Sequence, residues 1–304
     1  MKENKIMTDL SRFSGAFTAT ITPFTASGTV DEKNYQRFLE WQINEGVRGL
    51  VPTGTTGESP TLSHAEHDRV IDLTIEVAKN RVPVIAGCGS NSTEEAIRLT
   101  QHAKKAGADV AMLVTPYYNK PTQAGLYAHY EAVAKAVDIP IIIYNIPGRS
   151  VVDMSVETMT RLVHDFPHII GVKDASDQLE RIVRTRLAIG DRFVQFTGED
   201  PTMAAFLAHG GHGCISVVAN IAPKLTSRLV EAWQTGDLAE FAQCRDALFP
   251  LSVRCFSFAN PTATVKSSLA MMGKIEAGVR LPLVELDEKE QKLLAQTLQS
   301  AKLL

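Results

Sequence analysis

Short, continuously apolar runs rich in β-branched residues alternate along the chain with longer segments in which apolar residues recur every three or four positions. Eight such runs occur: "AFTATIT" from Ala16, "VRGLVPTG" from Val47, "VPVIAG" from Val82, "VAMLVTP" from Val110, "PIIIYN" from Pro140, "IIGVKD" from Ile169, "FVQFTG" from Phe193 and "HGCISVV" from His212. Each is too short for a helix and lacks polar alternation, the pattern of a strand covered on both faces. Between them the 3.6-residue period predicts helices over 32–44, 63–79, 93–105 and 122–136. Ser63 and Ser92 stand at expected N-caps, as does Asp200 with Pro201 just inside. Gly46 and Gly107 follow helices where a left-handed residue is expected.

Eight strand-helix units over roughly 235 residues predict a (β/α)8 TIM barrel. An open doubly wound sheet competes, but it usually carries a glycine-rich phosphate loop after its first strand. The chain has neither G-x-G-x-x-G there nor G-x-x-x-x-G-K-S/T, and "GCGSNS" at Gly87 lacks the third glycine. After Ala222 the pattern is helical only, over 223–235, 238–258, 261–272 and 287–302. The expected organisation is a catalytic barrel over 13–230 and a C-terminal helical region over 231–304, packed on the barrel or on a neighbouring subunit.

Composition narrows the function classes. The chain has 304 residues, 44% hydrophobic and 21% charged, with a formal net charge of −3 and no Lys/Arg block. It therefore has no electrostatic footprint for nucleic acid or an anionic membrane. The opening "MKENKIMTDLSRF" lacks the apolar core of a signal peptide, and no window has the length of a membrane span, so a cytoplasmic protein is expected. Cys88, Cys214, Cys244 and Cys255 form no C-x-x-C pair and read as reduced packing residues.

In such a barrel the polar residues just after each strand meet on one face. Here they are Thr20 and Thr22, "TGTTGES" at 53–59, Tyr117 and Tyr118, Tyr144 and Asn145 with Arg149 beyond, Lys173, Gly198 with Glu199, and Ser216. Lys173 ends an apolar run, where an ammonium must find a partner or lose its proton. It is thus either a salt-bridged structural lysine or a Schiff-base nucleophile. Each neighbour also has two readings. Gly54 and Gly57 form either a tight turn or a backbone nest for a carboxylate; Tyr144 is a core phenol or a proton shuttle; Arg149 is a surface cation or a carboxylate clamp. Tyr117 and Tyr118 sit on a stiff loop between two prolines. His64 and His67 share a helix face without H-E-x-x-H spacing or a clear third ligand, so neither a metal nor another cofactor is expected.

Eight segments carry a resemblance that covers residues from about 13 to about 230: "GAFTATITPF", "GLVPTGTTGESPTLSHAEH", "VIAGCGSNSTEEAI", "TPYYNKPTQAGLYAHY", "IIIYNIPGRS", "IIGVKDAS", "FTGEDP" and "GGHGCISVVANIAP". In this order they resemble the dihydrodipicolinate synthase family, within the pyruvate-dependent class I aldolases and lyases that include N-acetylneuraminate lyase. The resemblance implies that Lys173 forms an imine with pyruvate. Thr55 and Thr56 would hold the pyruvate carboxylate, Gly198 and Ile215 would line its pocket, and Arg149 would bind the carboxylate of L-aspartate 4-semialdehyde. It implies Tyr144 as central acid/base, linked through Thr55 to Tyr118 of a partner subunit, in a dimer that builds a homotetramer. Ser59, Pro60, His64, His67, Asn91, Glu95 and Tyr117 match positions that line an inhibitory L-lysine site. Lyase relatives share the lysine and the "YNIP" tyrosine, so another pyruvate-dependent aldolase, acting on N-acetylneuraminate or a 2-keto-3-deoxy sugar acid, is the alternative. The "GTTGES" turn and Arg149 favour the synthase.

Overall fold

The structure is a computed structural model that describes residues 9–258 and 260–304. Most of the polar stretch that opens the chain, read above as lacking a signal peptide, lies outside the described residues. All eight apolar runs form parallel strands: β1 Gly15–Ala19, β2 Gly49–Val51, β3 Ile85–Gly87, β4 Val110–Val114, β5 Ile141–Asn145, β6 Ile169–Asp174, β7 Val194–Thr197 and β8 Gly213–Ser216. Their spatial order is β2-β1-β8-β7-β6-β5-β4-β3. A parallel bridge between Leu50 and Val84 brings the two ends together, helped by Gly87 N donating to Pro52 O at 3.0 Å. The result is the (β/α)8 barrel that the pattern predicted, and strand ends converge on one rim.

Helices fill the connections with the expected chemistry. Glu32–Asn44 matches its predicted span, and His64–Ala78 opens with a capping box between Ser63 and Glu66. Ser92 caps Thr93–Ala106, which ends on Gly107 at φ 100°. Asp200 does not cap a helix, contrary to expectation. Helix Met203–Ala208 starts two residues later, after Thr202. The Asp200 carboxylate instead accepts from Ser216 Oγ at 2.5 Å and from the backbone N–H groups of Val217 and Val218.

Apolar side chains sort into an interior set and two sets between sheet and helices. Phe17, Val51, Ile85, Met112, Ile142, Val194, Phe196 and Ile215 fill the barrel. Helix Pro223–Thr235 is followed by Leu238–Ser257, Pro261–Met271 and Glu288–Ser300. Leu248, Leu251, Val265, Leu269, Leu294 and Leu298 from this tail share one buried cluster with Ala16 and Leu50 of the strands and with Val84 just before β3. The tail thus packs on the barrel itself.

One irregularity decides where the chemistry points. Ile141 pairs with Ile169, but Ile142 pairs with Gly171, so Ile170 is an extra residue in β6. Ile169 and Val172 face the helices whereas Ile170 faces the barrel interior. Because side chains alternate along a strand, unbroken alternation from Ile169 would put Lys173 on the helix side; the bulge absorbs one residue, so Val172 returns to the helix face and Lys173 faces the barrel interior.

Candidate active site

Lys173 stands in register with Tyr144 on β5 and with Phe196 on β7. Both polar side chains are buried, at 6% and 7% exposure, and the Lys173 Nζ lies 4.2 Å from the centroid of the Tyr144 ring. Among the described residues no ion pair engages Lys173, so the salt-bridged reading fails and the amine stays free inside the barrel. Gly198 makes room for it: a Cβ there would come within 2.9 Å of the Lys173 Cε.

These residues line a cavity of about 380 Å³ at the C-terminal rim, with Gly54, Thr55, Thr56, Arg149, Gly198 and Glu199. Apolar Ala19, Val51 and Met112 line it too, and its polar groups come from the ends of four strands, β2, β5, β6 and β7. The 53–59 turn folds on itself, with Glu58 N donating to Thr55 O at 3.1 Å and Gly57 N to Gly54 O at 3.1 Å. The N–H groups of Thr55 and Thr56 find no backbone acceptor among the described residues, which leaves two donors for an anion. Arg149 is carried by the short helix Pro147–Ser150 and borders the same space.

Other strand-end residues are committed to the scaffold. Thr20 meets the buried Tyr35 hydroxyl at 3.2 Å, and Thr22 Oγ1 donates to Gly57 O at 2.8 Å, holding the turn. Asn145 faces outward and donates to Asp153 at 2.8 Å. Ile215 is packed inside the barrel and is absent from the lining of either cavity; Val217 borders the space instead. Tyr118 is 90% exposed at φ 71° and lines neither cavity, so one chain alone does not bring it to Tyr144.

A second cavity of about 390 Å³ shares Thr55, Tyr144 and Arg149 with the first and extends to Ser59, Pro60, His64, His67, Glu95 and Tyr117. Asn91 lies outside that lining, its carbonyl accepting from Asn119. His64 Nε2 is 2.7 Å from Glu95 Oε1, and Ser90 also donates to Glu95, which holds that carboxyl below its ordinary range. His67 is buried with neither ring nitrogen hydrogen-bonded, and burial pushes its pKa down to about 4. A buried imidazole with both nitrogens unpaired carries a desolvation cost that no hydrogen bond offsets. Among the described residues no group of three or more His, Cys, Asp or Glu is placed to hold a metal ion. None of the described helices is long and apolar enough to cross a membrane. The four cysteines are free and buried.

Glu199, just after the end of β7, also borders the first cavity, and no motif in the sequence assigns it a part. Burial lifts its carboxyl to about 7, reinforced by Asp177 and Asp200 and opposed by Lys173 and Arg149. Phe256, Pro261 and Thr262 of the C-terminal helices also close the first cavity, which no local motif signals.

The Dihydrodipicolinate synthetase family matches residues 12–301. A 4-hydroxy-tetrahydrodipicolinate synthase of Rhodospirillum centenum is 60% identical over 272 residues, covering 90% of this chain and 92% of that protein. The crystal structure of the chloride-inhibited dihydrodipicolinate synthase from Acinetobacter baumannii complexed with pyruvate superposes with a TM-score of 0.92 at 43% identity, covering 96% and 99% of the two chains. That of the Cyanidioschyzon merolae protein with lysine bound gives 0.93 at 34% identity, again over 96% and 99%.

Proposed function

The chain belongs to the dihydrodipicolinate synthetase family, and on that premise we propose that it is a 4-hydroxy-tetrahydrodipicolinate synthase, condensing pyruvate with L-aspartate 4-semialdehyde through a Schiff base on Lys173. The observation that carries the reading is the unpaired, buried Lys173 beside Tyr144 in a cavity that also holds the Thr55–Thr56 donors and Arg149.

The steps follow from those groups. The neutral Nζ attacks C2 of pyruvate, and the carbinolamine loses water to an iminium while Thr55 and Thr56 hold the carboxylate. Tyr144 gives its proton to the departing hydroxyl in that dehydration, and its oxygen then takes the acidified C3 proton, leaving an enamine and a reprotonated Tyr144. The enamine carbon bonds to the aldehyde carbon of the second substrate, and the new alkoxide takes a proton from Tyr144. General acid/base assistance of this kind contributes about 10²- to 10⁴-fold. Arg149 orients the second substrate by its carboxylate. Attack of that substrate's amine on C2 closes the ring and releases Lys173 as the free amine. Gly198 keeps the lysine's path open, and Val217 rather than Ile215 borders the pocket.

Tyr118 completes the proton relay from a partner subunit, in a homotetramer built as a dimer of dimers. L-Lysine is the proposed inhibitor, its ammonium meeting Glu95 and its polar groups reaching His67 in the cavity bounded by Ser59, Pro60, His64 and Tyr117, with Asn91 at its edge. The test is a steady-state assay of pyruvate with L-aspartate 4-semialdehyde against cleavage of N-acetylneuraminate and 2-keto-3-deoxygluconate, with L-lysine titrated into the active reaction. Turnover confined to either sugar acid would sink the synthase reading, and full activity at millimolar L-lysine would sink the inhibitor.

A further inference from the structure

Behind the 53–59 turn lies an ion pair that the proposed chemistry does not use. Glu58 sits at φ 56° and ψ 33°, a left-handed conformation that a non-glycine residue holds only when its surroundings enforce it. Its Oε1 is 2.6 Å from the Nζ of Lys266 in helix Pro261–Met271, 208 positions away in sequence, and both side chains are 1% exposed. The second oxygen, Oε2, accepts from Arg280 N at 2.9 Å. The Arg280 guanidinium then binds Glu66, Thr61 O and Gly28 O, and Phe24 stacks against both cations at 4.0 and 4.2 Å.

Burying two charges is a poor source of stability, because desolvation consumes most of their attraction. What such a pair does supply is a fixed position. Three and two residues before Glu58 come the Thr55 and Thr56 donors; one turn before Lys266 comes Thr262, which also borders that cavity.

We propose that the buried Glu58–Lys266 pair is a positioning device that locks the 53–59 turn against the C-terminal helices and so aims the Thr55 and Thr56 N–H groups at the keto-acid carboxylate. This rests on reading that turn as the carboxylate cradle. Lys266 and Glu58 touch no substrate; they act through the backbone between them.

The test is borohydride trapping of the full chain across a pyruvate series, read by intact mass, for wild type, Glu58→Gln, Lys266→Met and the double variant. The expected result is unchanged end-point labelling at saturating pyruvate, with the half-saturating concentration raised about tenfold in each single variant, as loss of alignment without loss of the nucleophile requires. Should a single variant fail to fold, the double variant, which buries no charge, carries the same expectation. Variants that melt earlier yet half-saturate within about twofold of wild type would make the pair merely structural and overturn the proposal. A wild-type chain that takes up no label at any pyruvate concentration would overturn the Schiff-base reading instead.

Discussion

Glu199 illustrates what a single residue adds at the rim of this cavity. Its carboxyl, raised from 4.5 to about 7 chiefly by burial, holds a proton in the folded state over a range where the unfolded chain has lost it. Folding therefore takes up a proton between pH 4.5 and 7, and the contribution is fully present below 4.5 and lost as pH rises through 7. Glu199→Gln is uncharged at every pH. Urea midpoints at a series of pH values should converge for variant and wild type at low pH and separate towards pH 7, with wild type falling relative to the variant. Parallel curves would mean that Glu199 ionises freely. Nothing in "FTGED" signals this behaviour, since Glu199 and Asp200 are adjacent acids and only the fold half-buries one at the cavity and buries the other against Ser216.

Strands β5 and β6 deliver Tyr144 and Lys173 side by side, and the residues immediately following them fasten the two strands on the outer face. Arg181, itself buried, donates from Nε to Asp174 at 2.8 Å and lies 3.3 Å from Asp153, which in turn accepts from Asn145. Removing the guanidinium leaves Asp174 without its buried counter-charge, so Arg181→Met should cost about 3 kcal/mol in a denaturation experiment and lower kcat as the Tyr144–Lys173 register loosens. Stability loss with unaltered kcat would confine Arg181 to scaffolding. The eight strands were legible because each run is apolar on both faces, and Lys173 stood out as the one lysine in any of these runs. The side that Lys173 faces was not legible: alternation from Ile169 points it outward, and the Ile170 bulge that corrects this appears only in the pairing with β5. The part of Asp174 was likewise not legible, since its partner, Arg181, lies on the following helix, Glu180–Ile189.

At the scale of the whole molecule, the barrel and its helical tail are one packed body, and the tail reaches into the site through Phe256, Pro261 and Thr262. Contacts of that kind join residues some 200 positions apart and leave no periodic trace, whereas tail helices such as Pro223–Thr235 were readable from their amphipathic spacing. Tyr118 shows the opposite limit. It is exposed and strained in a single chain, and its proposed part needs a second copy. Mixing two inactive proteins, Lys173→Ala and Tyr118→Ala, tests this through subunit exchange. In a mixed dimer one site combines an intact Lys173 with the partner subunit's intact Tyr118, so activity should reappear after exchange. A mixture that stays inactive, despite exchange verified by native mass spectrometry, would place Tyr118 outside the relay.

The central claim is that Lys173 is the amine that captures the keto acid. Its most direct test is reduction with sodium borohydride in the presence of pyruvate, followed by peptide mass mapping of the inactivated protein. The expected product is a single reduced pyruvyl adduct on the peptide bearing Lys173, with activity lost in proportion to labelling. An adduct on a different lysine, or continued turnover by a chain fully labelled at Lys173, would contradict it.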